Sequence, residues 1–166
     1  EEEALLKAAA AGDAAAVRRL VDQGASPAVV NEEGLNPTLL SALAGHDKCC
    51  RVLFMVNADH PPDRPWLTPF AAAIRSGSGA LALWLLRESE GCHFRPLTTI
   101  YNTNELLNAT WPGWGGYSPL TFCVEKGHLE LADSLIELKA DLHTPDDHTR
   151  LPLVVAGTLG QWTWIT

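Results

Sequence analysis

Long apolar runs are missing from this chain. Nowhere in its 166 residues is there the stretch of about 18 apolar residues that a membrane-spanning helix needs, so no membrane partner is expected. No basic segment followed by an apolar one opens the sequence, so no signal peptide is expected either. The first residue is Glu1 rather than Met, which is compatible with a leader removed or left out. Positive charge is scarce: 12 Lys and Arg stand against 20 Asp and Glu, for a formal charge of −8. That balance argues against nucleic acid, whose binding needs basic patches that release counterions. Cysteine is sparse and unpatterned. Cys49 and Cys50 are adjacent on one predicted helix and do not pair with each other, Cys123 falls on a buried helix face, and Cys92 stands beside His93. No Cys-x-x-Cys pair supports a zinc site built from Cys92, His93 and His60, so no metal is expected. The pattern reads as reduced thiols in a cytoplasmic or nuclear protein. Catalytic motifs are missing too: there is no Gly-rich phosphate loop, no His-Glu-x-x-His and no Gly-x-Ser-x-Gly. Neither enzymatic activity nor a cofactor is expected. Asp146-Asp147 reads as a pair of solvated turn residues, and the glycosylation triplet Asn108-Ala109-Thr110 as fortuitous.

What the chain does have is a recurring pattern opened by four prolines. Pro37, Pro69, Pro119 and Pro152 are separated by 32, 50 and 33 residues, and each begins a short apolar run that closes on a glycine about eight residues later. The copies run from Pro37 to Gly45-His46, from Pro69 to Gly77, from Pro119 to Gly127-His128, and from Pro152 to Gly160. Self-similarity at about 33 residues marks a stack of small units rather than a conventional globule. Proline suits the first helical turn, where its missing N–H is not needed, and Thr68 and Ser118 just before it are N-cap residues. Glycine ends the helix in a left-handed conformation. A second helix follows, carrying Leu81, Trp84, Leu85 and Leu86 in one copy and Leu129, Ala132, Leu135 and Ile136 in the next. Trp84 is expected in the core. Leu20, Leu53, Leu85 and Leu135 hold equivalent places and are expected to be buried between layers. Helices this short do not stand alone, and stacking supplies the missing burial.

These residues resemble the ankyrin repeat, whose pattern is Gly-x-Thr-Pro-Leu-His-x-Ala-Ala, then Gly-His-Leu-Glu, then Leu-Leu, then Gly-Ala-Asp. The best copy reads Gly116-Tyr117-Ser118-Pro119-Leu120, Gly127-His128-Leu129-Glu130-Leu131, Leu135-Ile136 and Ala140-Asp141. The family's histidine after Pro-Leu is absent; Leu39, Ala71, Thr121 and Val154 replace it. The resemblance implies an all-α solenoid of helix-turn-helix units with short hairpin fingers, about five units in one domain over 1–166. It gives His46 and His128 structural roles. The first unit, with Leu5, Leu6, Ala8 and Ala9 before Gly12-Asp13 and Val17, Leu20 and Val21 after it, lacks the Thr-Pro entry and reads as a cap.

Three departures point to function. Large aromatics stand in the fingers: Trp66, Trp111, Trp114 and Tyr117 precede the proline-started helices as candidate partner anchors, with pinning of a long insertion as the alternative for Trp111 and Trp114. That insertion, 91–116, lies between the third and fourth units; Asn104 is placed to cap a one-turn helix through Asn108. The last unit runs into Trp162, Trp164 and Ile165, apolar where a terminal layer would be polar, which implies further C-terminal sequence or self-association. The resemblance implies a non-enzymatic module that binds a protein or peptide through its concave face and fingers. The candidate contact residues are Leu35, Leu43, Trp66, Leu67, Arg75, Trp111, Trp114, Tyr117, Glu125 and Lys126. The alternatives are a regulatory or targeting module of a larger enzyme, or a small-ligand pocket under the insertion.

Overall fold

The expected caps at Thr68 and Ser118 both form, and Asn36 caps a third proline-started helix. The computed structural model describes residues 1–56, 67–87, 103–112 and 115–160. Among these, ten helices are present: α1 (Glu2–Ala11), α2 (Ala14–Asp22), α3 (Pro37–Leu43), α4 (Asp47–Val56), α5 (Pro69–Ser76), α6 (Gly79–Arg87), α7 (Thr103–Asn108), α8 (Pro119–Lys126), α9 (Leu129–Glu137) and α10 (Pro152–Thr158). The Asn36 side chain accepts from the Leu39 N–H at 2.9 Å, Thr68 from Ala71 at 3.2 Å and Ser118 from Thr121 at 3.2 Å. All three cap residues are buried. Leu151 has no side-chain acceptor, so α10 starts on its proline alone. The other ends are equally regular. Ser41, Ala73 and Cys123 carbonyls accept from the N–H of the residue after each glycine, His46, Ser78 and His128, at 2.8–2.9 Å. This bond across a left-handed residue is the Schellman closure, and it turns the chain directly into the second helix.

The described residues fall into two compact units, one formed by 1–56 and 67–87, the other by 103–112 and 115–160. In the first, α3 packs on both α1 and α5, and α4 packs on both α2 and α3. Its core contains Leu5, Ala9, Val17, Cys49 and Leu53. Two polar links tie successive units together: the His46 ring lies 3.1 Å from the Ala10 carbonyl oxygen, and Ser78 donates to Asp47. Trp84 is half-buried rather than fully enclosed; it meets Phe54 edge-on, and the Arg51 guanidinium sits 4.8 Å over its ring. In the second unit, α8 packs against α7, α9 and α10. Leu120, Cys123, Val124, Ala132 and Leu135 are fully buried there. Burial pushes the Cys50 and Cys123 thiols up to about 12, so both behave as small apolar groups.

Two details differ from expectation. Leu53, Leu85 and Leu135 are completely buried, but Leu20 is only half-buried. Among the described residues α2 has a neighbouring second helix, α4, on one side only, and Val17 is its fully buried residue. Asn104 does not cap α7, which starts one residue earlier. Instead Asn104 accepts from the Asn108 amide, while Asn108 Oδ1 accepts from the Asp141 N–H at 2.7 Å. Both amide atoms of the glycosylation triplet's asparagine are thus engaged. Leu106 and Leu107 are buried, so this part of the insertion is built into its unit. Residues 91–102 and 113–114 of the insertion, which include Cys92, His93 and Trp114, lie outside the described residues, as do His60, Trp66, Trp162, Trp164 and Ile165.

Leu135→Ala is expected to destabilise by about 2–5 kcal/mol, the range for an enclosed leucine. Leu20→Ala is expected to cost less than about 2 kcal/mol, since part of that side chain already meets water. Urea melts of the two variants check the ordering, and equal losses would contradict the layer arrangement.

Candidate functional site

The second unit gathers several of the candidate residues around one buried aromatic ring. Trp111 and Tyr117 form an isolated antiparallel bridge, with the Trp111 N–H donating to the Tyr117 carbonyl at 3.0 Å and the Gly116 N–H to the Trp111 carbonyl at 3.1 Å. Gly116 has φ 69°, and a Cβ there would overlap the Asp147 carboxylate, so both conformation and space demand glycine. Phe122, on α8, is the floor. Tyr117 meets it edge-on at 6.1 Å, Trp111 is tilted against it at 6.4 Å, and the Lys126 ammonium stands 5.8 Å over it. Trp111 is 1% exposed. It offers a partner no surface and holds the hairpin down. Tyr117 and Glu125 are half-buried, and Lys126 is exposed.

Arg150 joins these groups to the loop before α10. Its Nη2 donates to the Tyr117 hydroxyl at 3.1 Å and to Asp146 Oδ2 at 2.8 Å, its Nε donates to the same oxygen at 2.9 Å, and Nη1 lies 3.9 Å from Glu125. The other Asp146 oxygen, Oδ1, accepts the backbone N–H groups of His148 and Arg150, each at 2.9 Å. Asp146 is therefore not a solvated turn residue. Its side chain is wholly buried, and it organises the loop. Burial opposes its ionisation, but the Arg150 backbone N–H, the Arg150 guanidinium and the His148 N–H together hold its carboxyl below the usual value of 3.8. Asp147 alone of the pair is exposed.

The same loop recurs in the first unit with different side chains. Asn31 Oδ1 accepts the N–H groups of Glu33 and Leu35 at 3.0 and 2.8 Å, and the Asn31 N–H donates to the Leu35 carbonyl at 3.0 Å, as the Asp146 N–H does to Arg150. Asn31 and Asp146 each stand six residues before a repeat proline, and Leu35, Leu67, Tyr117 and Arg150 each stand two before. Arg150 thus holds the finger position that singled out the other three. That register was available in the sequence and would have found it. Gly34 takes the left-handed place in one loop, with φ 78°, and Thr149 takes it in the other, with φ 61°. Elsewhere in the first unit, Leu35, Leu43 and Leu67 are half-buried and Arg75 is exposed. Among the described residues no group of three or more His, Cys, Asp or Glu side chains is arranged to hold a metal ion.

Comparison with known families agrees with this geometry. Residues 5–98 match the family model for ankyrin repeats in three copies, and residues 115–147 match the model for a single ankyrin repeat. No curated protein matches the chain significantly.

Asp146→Ala is expected to cost about 2–3 kcal/mol, because it strands two backbone N–H groups and a guanidinium. Asp146→Asn should cost less, since Asn31 shows an amide oxygen serving the same loop. The depressed carboxyl contributes stability that is fully present above about 3.8 and is lost as pH falls through its lower folded value. Asp146→Asn should flatten that acid limb, measured by urea midpoints from pH 7 to pH 2. An unchanged limb would contradict the pairing.

Proposed function

The chain belongs to the ankyrin-repeat family, and on that premise we propose that it is a non-enzymatic module binding a protein or peptide partner through its fingers and the first helices beside them. The observation that carries this reading is the side-chain cluster on α8. Tyr117 and Lys126 stand against the Phe122 ring, and Arg150 joins the Tyr117 hydroxyl with Glu125 nearby, so a phenol, a carboxylate and two cations are grouped there. Tyr117 and Arg150 are held by side-chain hydrogen bonds before any partner arrives. Preordered side chains lose little entropy on binding, and aromatic and arginine groups set over a packed floor have the makings of interface hot spots. Leu35, Leu43, Leu67 and Arg75 extend the proposed contact set in the first unit, at the family's usual contact positions. Trp66 and Trp114 belong to the same proposal by sequence position.

The test is affinity capture from cell lysate with the native chain and with the double variant Tyr117→Ala, Lys126→Glu. A protein held by the native chain should bind the variant at least about 30-fold more weakly, the equivalent of one hot-spot aromatic. Thermal melts should show the variant still folded. Capture of the same proteins at the same affinity would move the binding surface away from α8.

A further inference from the structure

We propose a second binding surface, on the second helices of the first two units, that takes an acidic, apolar peptide segment. A groove of about 580 Å³ runs between α2 and α4. Its floor is apolar, made by Val21, Val52, Met55 and Val56, and Met55 is 43% exposed. Two arginines line it. Arg18 and Arg51 each occupy the fifth place of their helix, 33 residues apart, so the repeat brings them to the same level of successive units. At that place α6 has Leu83 and α9 has Asp133. The pair therefore belongs to these two helices among the described units.

Charge identifies the occupant. In a chain of net charge −8, α2 and α4 carry four cations, Arg18, Arg19, Lys48 and Arg51, against two carboxylates, Asp22 and Asp47. Asp47 is engaged by Ser78. Among the described residues neither groove arginine has a carboxylate within ion-pair distance, whereas Arg150 has two. Arg51 is also held in place, its guanidinium 4.8 Å over the Trp84 ring. A positioned, unpaired guanidinium beside apolar side chains is suited to a carboxylate whose neighbours are apolar, since the planar fork matches a carboxylate and is weakly hydrated. Asp22 stands one turn beyond Arg18 and disfavours a second acid at that end, giving the site a polarity. The occupant is a peptide segment with an internal Asp or Glu directed at Arg18 and Arg51 and a large aliphatic or aromatic residue one helical turn away, over Val52 and Met55. This is the helix-in-groove mode, in which apolar anchors supply affinity and rim charges set the register.

The test is selection from a phage-displayed library of random 12-residue peptides held between fixed flanks, so that no chain terminus is offered. Enriched sequences are then titrated as fluorescein-labelled peptides with blocked ends, by anisotropy. They are expected to carry Asp or Glu within four residues of Leu, Ile, Met or Phe. Arg18→Glu should weaken them at least about 10-fold, and Met55→Ala about 3-fold or more. Tyr117→Ala should leave affinity within about twofold, which separates this surface from the α8 cluster. Arg18 is exposed and among the described residues makes no side-chain hydrogen bond or ion pair, so its variant is expected to keep the native melting temperature. Absence of enriched peptides, enrichment without acidic residues, unchanged affinity in Arg18→Glu, or loss in Tyr117→Ala instead would each overturn the proposal.

Discussion

Helix length is the constraint from which the rest follows. No helix among the described residues is longer than ten residues, and a helix of that length is marginal in water by itself. Each therefore exists only as part of a layer, and the layer exists only because its neighbours cover it. The proline and cap at one end and the left-handed glycine at the other do not supply that stability. They fix where each helix starts and stops, so that the buried faces of successive units coincide. The effect is visible on the last described helix. Phe70 and Leu120, directly after their prolines, are fully buried, but Leu153 in the same place on α10 is 54% exposed. Among the described residues α8 packs on α7, α9 and α10, whereas α10 packs chiefly on α8.

This division explains what could be read from the sequence. Proline, its capping neighbour and glycine are punctuation with a local mechanism, so the helix starts at Pro37, Pro69, Pro119 and Pro152 were legible, as was the burial of Leu53, Leu85 and Leu135. Leu20 was misjudged because equivalence in register is not equivalence in environment. Asp146 was misjudged for another reason. An Asp-Asp pair in a polar loop has the composition of a solvated turn, and only the backbone shows that one carboxylate turns inward to collect two N–H groups and a guanidinium. Its partner Arg150 lacks the apolar or aromatic side chain that marks a finger anchor by residue type, although its distance from Pro152 is the distance of Tyr117 from Pro119.

Trp111 shows the limit of reasoning from residue type. A large aromatic in a projecting loop is a fair candidate for a partner contact, yet its ring is spent on Phe122 and it is 1% exposed. What it supplies is order. With Trp111 holding one strand of the hairpin and Arg150 holding the Tyr117 hydroxyl, the finger is fixed from both sides. The residue best suited to meet a partner is thus presented by others that cannot.

The arginines give the clearest physical contrast. Arg150 is paired: Asp146 and the Tyr117 hydroxyl accept from it and Glu125 lies 3.9 Å away, so part of its hydrogen-bonding capacity holds the loop. Among the described residues Arg18 and Arg51 have no such carboxylate partners, although the chain has an excess of carboxylates. A folded chain with this composition can neutralise a guanidinium cheaply, since even an exposed pair with Asp or Glu is worth up to about 1 kcal/mol. Under the proposed docking mode, two guanidiniums without a carboxylate within ion-pair distance, beside an apolar groove, are placed to meet an incoming carboxylate. One arginine type therefore serves two purposes here, and the distinction is set by what its neighbours already satisfy.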